Sequence, residues 1–139
     1  MSDCCNGGTN LVYACSGGSN VGQMANEIAK NLTSGGFAKM TCGIALGANL
    51  SGFIVSAQNA DKNIVIDGCP VSCLKKVFDN LKITNYDYHV ITEMGIEKKM
   101  NFMMDLEEVY SIEEIIKNKS SVNKTNGDSE SCGCGEICL

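Results

Sequence analysis

Short apolar runs alternate with stretches of helical periodicity along this chain. Asn10-Leu11-Val12-Tyr13-Ala14-Cys15 reads as a buried strand, and the turn-forming Ser16-Gly17-Gly18-Ser19-Asn20 follows it. Apolar residues then recur at helical spacing through Val21, Met24, Ala25, Ile28, Ala29 and Leu32 until Gly35-Gly36 stops the run. Residues Phe37 to Leu46 fit either a strand or a helix, and Leu50 to Ala60 predict a short helix after the Gly47-Ala48-Asn49 break. A second strand, Ile64 to Ile66, leads into a helix bearing Val71, Leu74, Val77, Phe78 and Leu81, and a third runs from Tyr86 to Thr92. Ser111-Ile112-Glu113-Glu114 has capping-box spacing and predicts a last helix through Lys117.

Strands alternating with helices imply right-handed crossovers and a mostly parallel sheet with helices on both faces. The expected fold class is therefore α/β, a single three-layer Rossmann-like domain over residues 10–117. Residues 1–9 are polar and glycine-rich, which reads as a flexible N-terminus carrying Cys4 and Cys5. Residues 118–139 are rich in Ser, Asn, Lys, Gly and Asp without periodicity, which predicts a disordered, cysteine-rich tail.

At 139 residues the chain fits one domain, and no apolar run approaches the roughly 20 residues that span a bilayer. The first residues lack a basic start and an apolar core, so the expectation is a cytoplasmic protein without a secretory signal. The net charge is −5 and every basic residue is lysine. Without arginine's bidentate fork or a basic patch, nucleic acid is excluded as an expected partner, as is a membrane.

The nine cysteines change the picture most. In a reducing compartment an odd and clustered set points to metal or redox chemistry rather than a disulfide framework. Cys69 and Cys73 flank the only proline, Pro70, directly after the second strand. Proline suits the first turn of a helix, so Cys69 is expected at a helix mouth and Cys73 one turn inside, which makes Cys69 the candidate nucleophile. Cys15 ends the first strand, and in an open parallel sheet the functional crevice forms beyond the carboxyl ends of the strands. With Cys42, four thiolates about 2.3 Å from one ion would satisfy tetrahedral zinc. Only one tight cysteine pair is present, so spacing alone leaves open whether the four sulfurs meet.

The ordered set Tyr13-Ala14-Cys15-Ser16-Gly17-Gly18-Ser19-Asn20-Val21-Gly22-Gln23, Cys42-Gly43-Ile44, Ile66-Asp67-Gly68-Cys69-Pro70-Val71-Ser72-Cys73 and Thr92-Glu93-Met94-Gly95-Ile96-Glu97-Lys98-Lys99 resembles the DGC-domain family, described as zinc-binding. Asp67-Gly68-Cys69 matches the triplet that names it, and the likeness covers roughly residues 10–100. It implies Zn2+ held by Cys15, Cys42, Cys69 and Cys73, and supplies no reaction.

Other readings remain beside that one. A strand-Cys-loop-helix unit also describes oxyanion cradles of phosphatases and arsenate reductases, but those need an arginine clamp. Ser16, Ser19 and Asn20 are instead expected to cap the following helix, and Asp67 to form a turn or orient the surroundings of a cysteine ligand. Cys69 with Cys73 or a tail thiol, Cys132, Cys134 or Cys138, would suit a redox or sulfur- or selenium-transfer protein working with a thiol or sulfur-relay partner. A cysteine-proline turn also suits an iron–sulfur cluster. Lys98 and Lys99 read as a solvated pair that could also offset thiolate charge, His89 as a packed or surface strand residue rather than a ligand, and Met100, Met103 and Met104 are expected to fill the core. Gly43-Ile44-Ala45-Leu46-Gly47 is apolar enough to line a pocket or an interface.

Overall fold

The computed structural model describes residues 9–121 as a four-stranded parallel sheet in the order β2-β1-β3-β4, layered between helices. The strands are β1 (Asn10–Ala14), β2 (Lys39–Met40), β3 (Lys62–Asp67) and β4 (Tyr86–Val90). The helices are α1 (Asn20–Ser34), α2 (Gly43–Gly47), α3 (Ser51–Asn59), α4 (Cys73–Asn80) and α5 (Leu106–Ser121). Register runs from Asn10 beside Lys62 to Ala14 beside Ile66, so β1 and β3 end level with each other.

Period-two alternation divides each strand between two cores. Val12, Ile64 and Ile66 pack with Met24, Ile28 and Leu32 of α1 and with Val109, Ile112 and Ile116 of α5. On the opposite face Leu11, Tyr13 and Val65 meet Leu46 of α2, Ala57 of α3 and Leu74 and Phe78 of α4. The Phe78 ring stands edge-on between Tyr13 and Tyr86, with centroids 5.0 and 5.4 Å away. The expected three-layer α/β architecture is thus observed, and the ambiguous segment from Phe37 resolves into a two-residue strand followed by the single turn of α2.

Two local expectations need correction. The last helix starts at Leu106, where Asp105 accepts a hydrogen bond from the Glu107 amide, while the Ser111 hydroxyl merely donates back to its own helix at Glu107. The capping-box signature therefore lies inside the helix, and α5 runs on through Ser121, past the tail boundary read at residue 118. Met100 and Met103 do not fill the core, being 80% exposed, whereas Met104 packs against the α1–α5 cluster.

His89 does pack, on the α5 side of β4 near the Ser120 hydroxyl. Burial pushes its imidazole down from 6.5 to about 4, with Asp87 opposing and Lys119 and Lys62 reinforcing the shift. The folded state therefore resists a proton that the unfolded chain accepts. Stability attributable to His89 is complete above pH 6.5 and is lost as pH falls toward 4. Urea unfolding across this window should show the wild type losing on the order of 2 kcal/mol relative to a His89→Gln variant. Parallel pH profiles for the two proteins would refute this assignment.

Candidate thiol site at the switch point of the sheet

The chain leaves β1 toward β2 on one side and returns past it to β3 on the other, so the order of strands reverses between β1 and β3. Ligand crevices of open parallel sheets form beyond the carboxyl ends at such a point. Cys15 follows β1 there, with its amide continuing the ladder by donating to the Ile66 carbonyl at 3.1 Å. Gly68 follows β3, and its amide donates to Cys15 Sγ at 3.3 Å.

Two glycines let the loops approach. A Cβ on Gly68 would lie 2.7 Å from the Gly22 nitrogen and 2.8 Å from the Val21 carbonyl carbon; one on Gly22 would lie 2.6 Å from the Gly17 oxygen. These are backbone atoms, so no rotamer change relieves the clash. The Asp-Gly-Cys turn, the first turn of α1 and the loop after Cys15 are stacked main chain on main chain.

The cysteine turn differs from its expected form. Cys69-Pro70-Val71-Ser72 is a turn closed by the Ser72 amide on the Cys69 carbonyl, and α4 begins at Cys73 after Ser72 in the left-handed region. Cys73, rather than Cys69, stands at the helix mouth. The cause is Asp67: its buried carboxylate accepts from the amides of Leu74 and Lys75 at 3.1 and 3.0 Å and from the Tyr88 hydroxyl at 2.9 Å. That carboxylate sets the helix start and leaves Pro70 at the second position of a turn, where its fixed φ also fits. Sequence reasoning named Asp67 but not this capping role, because its partners lie seven and eight residues on.

Cys15, Cys69 and Cys73 line one cavity of about 250 Å³, together with Gly17, Gly68, Lys98 and Met100. Cys42, at the mouth of α2, lines a neighbouring and larger cavity of about 460 Å³ that also touches Cys15 and Cys73. A larger concavity, about 940 Å³, lies beside the 95–105 segment and has no cysteine in its lining. Volume therefore does not mark the chemistry here. Thiolates are the donors that a soft ion prefers. Among the described residues, however, no three or more Cys, His, Asp or Glu side chains are placed to hold a metal ion together. Cys42 and Cys73 are exposed, Cys15 and Cys69 half-buried. Burial pushes the Cys15 thiol up, against hydrogen bonds from the Gly17 and Gly68 amides.

Lys98 Nζ donates to Cys69 Sγ at 3.5 Å. Its segment is tied to α1 by Asn20, whose side chain donates to the Glu97 carbonyl at 2.9 Å and accepts from the Lys99 amide at 2.6 Å. Ser19 caps α1 as expected, accepting from the Gly22 amide, whereas Asn20 serves this tie and Ser16 only offers its carbonyl to Gln23. Cys132, Cys134 and Cys138 lie outside the described residues.

The DGC domain family matches residues 11–116. This chain belongs to it. The DGC-domain relative AnvM of Pseudomonas aeruginosa, named an anaerobic and virulence modulator, is 33% identical over 89 residues, which is 64% of this chain and 68% of AnvM. No solved structure matches the chain. No helix among the described residues of this DGC protein is long and apolar enough to cross a membrane.

The stacked turn makes a test. Gly68→Ala should cost about 1–3 kcal/mol in urea unfolding, because backbone must move to admit the methyl group. Gly52→Ala, in α3 with open space around it, should leave stability level or raise it. Equal effects would show that the close approach at Gly68 is not a constraint.

Proposed function

We propose that this DGC-domain protein binds a soft metal ion, zinc in the first instance, through Cys15, Cys69 and Cys73, with Cys42 as the fourth thiol. The observation that carries the reading is the convergence of three cysteines from the ends of β1 and β3 and the start of α4 on one small cavity. A bound zinc ion would supply cross-linking: its ligation energy would tie the switch-point loops to α4 and contribute to folding. Cys15 and Cys69 would be the fixed ligands, since their backbones belong to the stacked turn. Exposed Cys42 and Cys73 have room to turn toward an arriving ion. Occupation by four thiolates would close the shell and favour metal handling or structure over catalysis. The relative's name describes a modulator, which accords with that role.

Elemental analysis of protein purified anaerobically under reducing conditions should find stoichiometric zinc, abolished by Cys15→Ser or Cys69→Ser and weakened by Cys42→Ser. Metal-free wild type, or undiminished zinc in Cys69→Ser, would sink the reading.

The Lys98–Cys69 contact favours a second reading, in thiol exchange. Cys69 thiolate would attack a disulfide in a partner protein and release one partner thiolate. Cys73 would then attack the mixed disulfide, releasing the second partner thiol and leaving Cys69–Cys73 oxidised. Alkylation followed site by site at neutral pH should then show Cys69 reacting faster than Cys15, whose raised thiol keeps it protonated, and Lys98→Met should slow Cys69 alone. Should Cys69 react no faster than a free cysteine, exchange chemistry is ruled out.

A further inference from the structure

Met100 is the side chain that neither reading uses. Its side chain is 80% exposed, yet it lines the cavity of Cys15, Cys69 and Cys73. Its thioether is the one sulfur donor other than a thiol among the residues lining that cavity. Its position is also fixed from behind. The Asn20 tie holds Glu97 and Lys99, the Asn20 amide donates to the Lys99 carbonyl at 3.1 Å, and Lys98 reaches Cys69 from the same strap. Met100 follows that anchored tripeptide directly.

We propose that the cavity also takes Cu(I), with the Met100 thioether as a ligand beside the cysteine thiolates. This rests on the reading that these thiols bind a metal, and it names the class of ion. Thiolate and thioether together are the soft donor set that selects Cu(I), whereas zinc favours thiolate and imidazole. Cu(I) is satisfied by two or three soft donors.

The test is anaerobic competition of the full-length protein against bathocuproine disulfonate for Cu(I) and against a chromogenic chelator for zinc, with circular dichroism to verify folding. Met100→Leu should weaken Cu(I) binding by at least about tenfold and leave zinc within about twofold, while Met103→Leu, which faces the other concavity, should change neither. Unchanged Cu(I) affinity in Met100→Leu, or equal losses for both metals or in both methionine variants, would overturn the thioether ligand. Failure of the wild type to bind either ion would instead overturn the metal reading itself.

Discussion

Everything chemical in this domain depends on main chain touching main chain at Gly22 and Gly68. With 2.7 Å between the Gly22 nitrogen and any Cβ at Gly68, the turn after β3 can rest on the first turn of α1 only if residue 68 lacks a side chain, and the loop after Cys15 can rest there only if residue 22 does. That contact brings Cys15 and Cys69 to one cavity, because each cysteine lies within a few residues of a glycine in the stack. It also explains why the middle residue of the Asp-Gly-Cys triplet is glycine: its role is steric. The aspartate acts separately, by ending one element and starting the next. Buried among the amides of Leu74 and Lys75 and the hydroxyl of Tyr88, it replaces the lost first-turn partners of α4 and sets where Cys73 stands.

The three thiols of the cavity do not share one environment. Cys15 is sheltered and its thiol is pushed up by burial, while Gly68 still donates to its sulfur. Cys69 has an ammonium beside it, and Cys73 is open to solvent. An ion entering this cavity would therefore displace protons unequally, with Cys15 resisting most and gaining most from the exchange, since a cation removes the cost of charging a buried sulfur. The asymmetry favours a ligand that neutralises negative charge.

Much of the fold was legible because hydrophobic periodicity reports burial directly: every apolar position of the α1 pattern from Val21 to Leu32 is buried, joined there by Asn20 and Gly22. What escaped were features set by partners distant in sequence. Asp67 caps a helix whose amides lie beyond an intervening turn, so Pro70 could be read as a first-turn proline when it belongs to that turn. Asn20 looked like a cap, but its side chain reaches residues 97 and 99, nearly 80 positions on in the chain. Ser111 met the capping-box spacing although the true start, at Leu106, is marked by Asp105 alone. The cysteines at the sheet edge followed from topology, since β1 and β3 must end together in a parallel pair. Their division between two cavities depends on where Cys42 stands at the start of α2, in the segment whose pattern fitted strand and helix equally.

The same strap accounts for why a glycine loop before a helix, the usual setting for phosphate, reads here as a thiol site. A phosphate cradle needs free amides at the helix mouth. In this loop the Ser19 amide donates to the Gly17 carbonyl, Asn20 to the Lys99 carbonyl, Gly22 to the Ser19 hydroxyl and Gln23 to the Ser19 carbonyl. The strap thus engages the Asn20 amide with the Lys99 carbonyl, and the chain has no arginine to strengthen an anion site. The residues lining the cavity include three cysteines, Met100 and Lys98, whose ammonium donates to Cys69. At about 250 Å³ the space falls below the range typical of drug-sized ligands, a size in keeping with the proposed ion.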